Sequence, residues 1–170
     1  MRLIVLNGPP AIGKSTLAER FAEDHPPTLN LDVDRVRSLV GGWRAQPSES
    51  GLAARELALA AARAHLAAGH DVVVPQLLGR PDFLVRLEEL ADDVGASFHE
   101  LMLMDTRESV LTRFASRTPG PHHHDTTAAE VAAFHDRLEF LLADRPRARV
   151  ITTSAGRLDG AYRAVLAALD

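Results

Sequence analysis

Short runs of consecutive apolar residues alternate along this chain with longer segments in which apolar residues recur at a helical period. A continuous apolar run is typical of a strand buried on both faces of a sheet, and the helical period is typical of a helix that covers such a face. The runs predict five strands, β1 to β5, at residues 3–7, 28–31, 71–76, 97–104 and 149–153.

The periodic segments predict at least one helix between each strand and the next. They lie at residues 14–24, 32–40, 51–68, 81–94, 106–116, 126–143 and 158–169, of which 32–40 is a turn that leads into a short helix. Residues 43–50 are polar and contain a proline, which indicates a loop, and we expect residues 118–125 to be a loop as well.

Alternating strands and helices predict an α/β fold for the whole chain. We expect one domain over residues 1–170, with three α/β/α layers, a five-stranded parallel sheet and right-handed crossovers. Ligands of such folds bind beyond the carboxyl ends of the strands. The polar residues that follow each strand are therefore the candidate site.

The stretch after β1 has the Walker A spacing G-x-x-x-x-G-K-S, in the required order of strand, loop and helix. It comprises Gly8, Pro9, Pro10, Ala11, Ile12, Gly13, Lys14, Ser15 and Thr16. Backbone N–H groups of such a loop, with the positive end of the helix that follows, bind phosphate oxygens. We expect the loop to bind ATP, with Lys14 on the β- and γ-phosphates and the Ser15 hydroxyl on Mg²⁺. The alternative is a glycine and proline turn with a solvated lysine; Lys14 is the only lysine in the chain.

Asp32 and Asp34 follow β2 as a D-x-D pair. If the chain is extended there, alternation places both carboxylates on the same side. We predict that Asp34 orients the acceptor hydroxyl and accepts its proton, and that Asp32 binds Mg²⁺ or assists the substrate. The sequence leaves open which aspartate is the base, and either one could instead cap the short helix.

Arg113 and Arg117 lie four residues apart on one predicted helix and therefore share a face. Because a connection rich in glycine and proline follows, we expect residues from about 117 to 135 to form a lid that brings both arginines onto the transferring phosphoryl group. The alternative is a solvated arginine face. Arg157 follows β5 and lies either near the adenine or at the start of the last helix.

Polar residues at the strand ends are also candidates for holding the acceptor. They are Asp32, Asp34, Arg35, Arg37, Gln76 and Arg80. A nucleotide acceptor would need basic groups for its phosphate. The candidates for that role are Arg35, Arg37, Arg44 and Arg80.

Composition and charge disfavour several other functions. The net charge of −4 offers no electrostatic footprint for nucleic acid, and the lack of cysteine excludes thiolate chemistry. No apolar run is as long as a membrane span, and the apolar N-terminus runs directly into the phosphate loop, so we expect a cytoplasmic protein without a signal peptide. Three consecutive histidines, 122–124, cannot all face one tetrahedral metal ion, and we expect them at the tip of the lid. The oligomeric state is left open.

Together, the phosphate loop, the segment Leu31-Asp32-Val33-Asp34-Arg35-Val36-Arg37 and the Arg113 and Arg117 pair resemble the P-loop kinases of the nucleoside-monophosphate-kinase-like fold. Within that fold the chain is most similar to the branch of chloramphenicol phosphotransferase, zeta-toxin-like kinases and small AAA-type kinases. The resemblance covers nearly the whole chain. It implies the strand order 2-3-1-4-5, a lid after β4, and ATP with Mg²⁺ as the donor.

The resemblance also bears on single residues. In the chloramphenicol enzyme, an aspartate that opens the helix after β2 is the base, and the matching residue here is Asp34. That enzyme has acidic residues after β3, whereas this chain has Val74-Pro75-Gln76. The Mg²⁺ role therefore passes to Asp32 or to water.

We expect an ATP- and Mg²⁺-dependent phosphotransferase that acts on a hydroxyl of a small molecule, which could be an antibiotic, a nucleoside, a nucleotide or a sugar. One alternative is a zeta-toxin-like kinase of a nucleotide sugar. Another is a P-loop ATPase or nucleotide switch without a dedicated acceptor. The acidic net charge disfavours a polynucleotide kinase.

Overall fold

A parallel sheet of five strands forms the centre of the computed structural model, which describes residues 1–117, 126–154 and 157–170. The strands are β1 (Arg2–Asn7), β2 (Leu29–Asn30), β3 (Val72–Pro75), β4 (Ser97–Met104) and β5 (Arg149–Thr152). Neighbouring strands pair in parallel, in the order β2-β3-β1-β4-β5. The predicted fold class and strand order are therefore confirmed.

The described ranges contain the helices α1 (Lys14–Asp24), α2 (Val33–Ser38), α3 (Pro47–Ala67), α4 (Pro81–Val94), α5 (Arg107–Ala115), α6 (Ala128–Asp144) and α7 (Leu158–Ala167). Their bounds agree with the predicted helices to within two residues, except at the start of α3. The prediction of a loop up to residue 50 is wrong, since α3 begins at Pro47. Proline suits the first helical position because its missing N–H would have no partner there. None of these helices is long and apolar enough to cross a membrane.

The predicted loop at 118–125, with its three histidines, lies outside the described residues. The same is true of that part of the predicted lid. Residues 126–135 are described, and most of them belong to the first turns of α6.

The core lies on both faces of the sheet. Because side chains alternate along a strand, Leu3 and Val5 of β1 pack on one face while Ile4 and Leu6 pack on the other. The first face is covered by α3 and α4, and the second by α1 and α7. A central strand buried on both faces has to be apolar throughout, which is the pattern that β1 shows. The helices leave the carboxyl edge of the sheet open, and the polar residues gather there.

A buried carboxylate on β4 is paired with an arginine that follows α6. Glu100 is 4% exposed, and its Oε2 accepts a hydrogen bond from Arg145 Nε at 2.8 Å. Arg145 Nη2 also donates to Glu88 Oε2 on α4 at 2.8 Å. Burial raises the pKa of Glu100, and the pair with Arg145 opposes that rise. Arg145 thus fastens the end of α6 to the sheet and to α4.

Replacing Arg145 with methionine should lower the free energy of unfolding by about 3 kcal/mol, because the Glu100 carboxylate would stay buried without its partner. Urea denaturation measures the change. Arg147→Met is the matched control, since the Arg147 side chain is 90% exposed and its Nη1 lies 3.8 Å from Glu88 Oε1. We expect the control to lose less than about 0.5 kcal/mol. Equal losses in the two variants would contradict the anchoring role of Arg145.

Candidate active site

The loop between β1 and α1 contains three residues with positive φ. These are Gly8, Ala11 and Gly13, at 150°, 62° and 103°. Gly8 is needed for a second reason, since a Cβ atom there would lie 2.5 Å from the backbone oxygen of Leu103. The Walker A glycines are therefore explained by backbone conformation and by the close approach of the loop to β4. Ile12 is buried in the core, so its side chain supports the loop rather than facing a ligand.

The side chain of Asn7, at the end of β1, is fully buried and makes three hydrogen bonds. Its Oδ1 accepts from the backbone N–H of Gly8 at 2.8 Å and from that of Leu78 at 2.9 Å. Its Nδ2 donates to the carbonyl oxygen of Leu78 at 2.9 Å. Asn7 therefore ties the phosphate loop to the segment after β3, a contact between residues far apart in the sequence.

Lys14 is half-buried at the start of α1, and its Nζ donates to two carbonyl oxygens of the phosphate loop, each at 2.8 Å. Its pKa is lowered from 10.5 to about 7, chiefly by burial and then by the charge of Arg117. The carboxylates of Asp34 and Asp32 act in the opposite direction. Both aspartates therefore lie within electrostatic reach of the lysine that is predicted to bind phosphate.

Asp32 and Asp34 occupy different positions at the start of α2. Asp32 is the N-cap, and its Oδ1 accepts from the backbone N–H groups of Asp34 and Arg35 at 2.9 and 3.2 Å. Asp34 lies in the first turn, and its Oδ2 accepts from Gln76 Nε2 at 3.3 Å. Both aspartates line one cleft together with Lys14. The start of a helix, rather than strand alternation, brings them there.

This cleft has a volume of about 1350 Å³ and opens at the carboxyl edge of the sheet. The phosphate loop and the first turn of α1 form one part of it, and residues 75–83 form another, with side chains added from α3, α5 and α6. The cleft is rich in arginine. The arginines that line it among the described residues are Arg35, Arg55, Arg80, Arg113, Arg117 and Arg137.

Arg113 and Arg117 both line the cleft, but their surroundings differ. Arg113 forms an ion pair with Asp105, and its Nη2 donates to the carbonyl oxygen of Thr153 at 3.0 Å. No acid pairs with Arg117 within the described ranges, and burial lowers the pKa of its guanidinium. Arg113 thus links the ends of β4 and β5, and Arg117 is the better candidate for a contact with phosphate.

Arg37 and Arg44 lie outside the residues that line the cleft, and their contact with an acceptor phosphate stays a prediction. Arg37 donates to Ser50 Oγ at 3.0 Å and to the carbonyl oxygen of Pro47 at 2.8 Å, which fastens α2 to the first turn of α3. The Arg44 guanidinium lies 4.2 Å from the ring centroid of Trp43. Each arginine is held by residues close to it in the sequence.

The remaining predicted residues are placed as follows. Gln76 and Arg80 line the cleft. Arg35 also lines it, but its Nη2 pairs with Glu19 Oε1 at 2.8 Å. Arg157 lies at the N-terminal end of α7, outside the residues that line the cleft. Its contact with adenine stays a prediction.

Arg55 on α3 and Arg137 on α6 line the cleft, although the sequence pattern does not indicate them. Each lies inside a helix and far from any strand end, where an arginine ordinarily marks a solvated face. Only the packing of α3 and α6 brings them to the site. Asn7 was missed for a similar reason, since its partner is distant in the chain.

Ser15 and Asp32 have the chemistry that Mg²⁺ requires. The Ser15 hydroxyl is exposed at the cleft. Asp32 uses its Oδ1 for the helix cap and has its Oδ2 3.8 Å from Arg35 Nε, so this second oxygen remains outside the cap. Mg²⁺ is usually held by one or two carboxylates together with phosphates and water. The donor set therefore fits the ion, and the role of these residues stays a prediction.

A family model described as an AAA domain matches residues 3–141 of the chain. No curated protein sequence matches this chain.

Solved structures share the fold. A gluconokinase from Sinorhizobium meliloti 1021 has a TM-score of 0.66 at 22% identity, over 98% of this chain and 90% of that one. A tunicamycin resistance protein from Deinococcus radiodurans has a TM-score of 0.69 at 20% identity, over 99% and 95%. A shikimate kinase from Bacteroides thetaiotaomicron has a TM-score of 0.63 at 19% identity, over 98% and 97%. Identities this low establish the shared fold and leave the substrate open.

Replacing Asn7 with alanine should lower the free energy of unfolding by about 3 kcal/mol, because three hydrogen bonds worth about 1 kcal/mol each would be lost. Nucleotide binding should weaken as well, since the phosphate loop would lose its tie to the segment after β3. Urea denaturation and nucleotide titration measure the two effects. The control is Asn30→Ala, because the buried Oδ1 of Asn30 has no partner among the described residues. A control that loses as much stability would refute the role of Asn7.

The amine of Lys14 should react with an acylating reagent at mildly alkaline pH much faster than an ordinary lysine, because a pKa of about 7 leaves most of it uncharged there. The reaction should slow as the pH falls through that value, since the protonated amine is not a nucleophile. Added ATP should protect the amine, both by covering it and by raising its pKa. Peptide mass spectrometry assigns the acylation to Lys14, the only lysine in the chain. A midpoint near the ordinary value of 10.5 would contradict the shift.

Proposed function

We propose that this chain, which belongs to the AAA domain family (AAA_33), is an ATP- and Mg²⁺-dependent phosphotransferase that moves the γ-phosphate to a hydroxyl of a small molecule. The observation that carries the proposal is the position of Asp34. It lines the same cleft as Lys14 and lies close enough for its charge to raise the pKa of that amine. A carboxylate beside the lysine that holds phosphate is well placed to accept the proton of an acceptor hydroxyl.

The donor side of the reaction belongs to the phosphate loop. Its backbone N–H groups and the N-terminus of α1 bind the phosphates, and Lys14 adds a compact positive charge. Ser15 and Asp32 would hold Mg²⁺, which would supply positive charge to neutralise the phosphates. Catalysis on this side is mainly positioning and charge neutralisation.

The acceptor side depends on Asp34. The acceptor oxygen forms a bond to the γ-phosphorus while its proton passes to the Asp34 carboxylate. The bond between the γ-phosphorus and the β–γ bridging oxygen breaks, and ADP leaves with that oxygen. Gln76 orients the carboxylate by donating to its Oδ2 at 3.3 Å. Arg117 neutralises the charge that develops on the transferred group.

A P-loop ATPase or nucleotide switch would need no acceptor site. This cleft, however, continues from the phosphate loop along residues 75–83 and receives side chains from α3 and α6. The additional space supports transfer to a second substrate rather than hydrolysis. Two structural neighbours are named as kinases, a gluconokinase and a shikimate kinase, which agrees with transfer to a second substrate.

Asp34→Asn should lower acceptor-dependent ADP release by about 10²- to 10⁴-fold, the range of a lost general base. ATP binding should stay nearly unchanged, because the amide keeps the shape of the carboxylate and can still accept from Gln76. The assay is a screen of hydroxylated metabolites, nucleosides and antibiotics for ADP release that depends on the added compound. ATP binding is followed separately by thermal stabilisation.

Two further variants separate the roles. Asp32→Asn keeps a good N-cap, so α2 should persist and only the dependence on Mg²⁺ should move to higher concentration. Lys14→Ala should abolish nucleotide-dependent stabilisation. Unchanged turnover in Lys14→Ala would contradict the role of the phosphate loop in binding ATP. If Asp32→Asn is inactive and Asp34→Asn is active, Asp32 is the base and Asp34 is the residue that assists Mg²⁺.

A further inference from the structure

We infer that the acceptor carries an anionic group, a carboxylate or a phosphate, in addition to the hydroxyl that receives the phosphoryl group. The inference rests on the proposed function and names the substrate class of the same cleft. The anionic group is bound by Arg55, Arg80 and Arg137, which line the cleft from three different elements. These three residues are called the arginine wall below.

A short segment after β3, together with the first turn of α4, gathers the arginine wall. Arg80 belongs to this segment. Arg137 packs against Gly79, where an added Cβ atom would lie 2.9 Å from the Arg137 Cδ. The Arg55 guanidinium lies over the ring of Phe83, 5.8 Å from its centroid. Residues 79–83 therefore bring three cationic side chains into one small region.

The arginine wall has no acidic partner of its own. Within the described parts of the chain, none of the three side chains takes part in an ion pair or a hydrogen bond, although two of them lie near aromatic rings. Arginines that support the fold are paired instead, as Arg113 is with Asp105 and Arg145 with Glu100. A planar guanidinium binds carboxylate or phosphate through two parallel hydrogen bonds. Three guanidinium groups left unpaired in a cleft have the chemistry of an anion site.

Two acidic residues also border this part of the cleft, Asp82 and Glu130. The Oε2 of Glu130 accepts from the backbone N–H and the hydroxyl of Thr127, in the capping box of α6. Asp82 lies in the first turn of α4, where the helix dipole stabilises a carboxylate. Both acids thus serve the starts of helices, and the three arginines outnumber them.

The start of α4 adds hydrogen-bond donors to the same place. Arg80 occupies the N-cap position and makes no side-chain cap hydrogen bond, and Pro81 follows in the first turn. The first backbone N–H groups of α4 therefore have no partner within the helix, and this end carries partial positive charge. Asp82 and Phe83, in the first turn, both line the cleft.

The same segment connects Asp34 with the arginine wall over a short stretch of chain. Gln76, which donates to Asp34, precedes Arg80 by four residues, so the two are separated by at most about 14 Å of chain. A hydroxyl at Asp34 and an anionic group at the arginine wall fit within one small molecule. Hydroxy acids and sugar or nucleoside phosphates have this combination, whereas neutral antibiotics do not.

Equilibrium binding of matched acceptor pairs tests the inference without requiring turnover. The carboxylate arm compares hydroxy acids with their neutral polyols, such as D-gluconate with D-glucitol. The phosphate arm compares sugar and nucleoside monophosphates with the uncharged sugar or nucleoside, such as UMP with uridine. Each probe is titrated by calorimetry into the full chain loaded with Mg²⁺ and a non-hydrolysable ATP analogue.

We expect a charged probe in one arm to bind at least about tenfold more tightly than its neutral counterpart, which is the effect of one charge-assisted hydrogen bond or more. The arm in which this happens identifies the anionic group. Equal affinity within every pair overturns the inference, and so does a panel in which no charged probe binds. If a charged probe binds but is not phosphorylated when ATP replaces the analogue, the proposed transfer fails and the arginine wall stands.

Variants test whether the arginine wall causes the preference for charged probes. Arg55→Gln and Arg137→Gln should each reduce the preference for the charged probe by about tenfold. Gly79→Ala keeps every charge and displaces the Arg137 side chain, so it should reduce the preference by a smaller factor. The matched control is Arg63→Gln, because Arg63 lies on α3 like Arg55 but pairs with Asp93 outside the cleft. A preference that survives Arg55→Gln and Arg137→Gln unchanged places the anion elsewhere and overturns the inference.

Discussion

One buried amide, that of Asn7, joins the two substrate regions of the cleft. Its three hydrogen bonds connect Gly8 of the phosphate loop with Leu78, in the segment that leads to the arginine wall. Strands β1 and β3 lie side by side in the sheet, so their carboxyl ends face the same region. The amide fixes how the connections after the two strands are spaced. The proposed phosphoryl transfer depends on holding donor and acceptor in one geometry, and this contact would supply a rigid reference for both.

Charge in the cleft is divided between two kinds of cation. The amine of Lys14 has its pKa lowered to about 7 by burial and by Arg117, so a bound phosphate can shift its protonation. The guanidinium groups that line the cleft have roles that differ according to their partners. Arg113 is paired with Asp105 and supports the strand ends, whereas the arginine wall is left for a ligand. The distribution of acidic partners, rather than the number of arginines, distinguishes structural from binding residues.

The shared fold explains the donor side better than the acceptor side. The phosphate loop is a local element that any member of the fold can keep, while the acceptor region is assembled from connections and helix faces that can change independently. For this chain, those connections are residues 75–83 and the faces of α3 and α6.

The sequence by itself determined the features that depend on short-range rules. The helix at 14–24, the helix at 81–94 and the strand at 97–104 have the same bounds in the structure, because apolar period, proline and glycine act locally. The phosphate loop could be recognised for the same reason, and a resemblance supplied the strand order. Only the tertiary structure decided which side chains meet at the strand ends. It placed Arg37 outside the lining of the cleft, placed Arg55 and Arg137 in that lining, and joined Asn7 to Leu78. Such contacts depend on how helices pack across the sheet, and spacing along the chain carries no record of that packing.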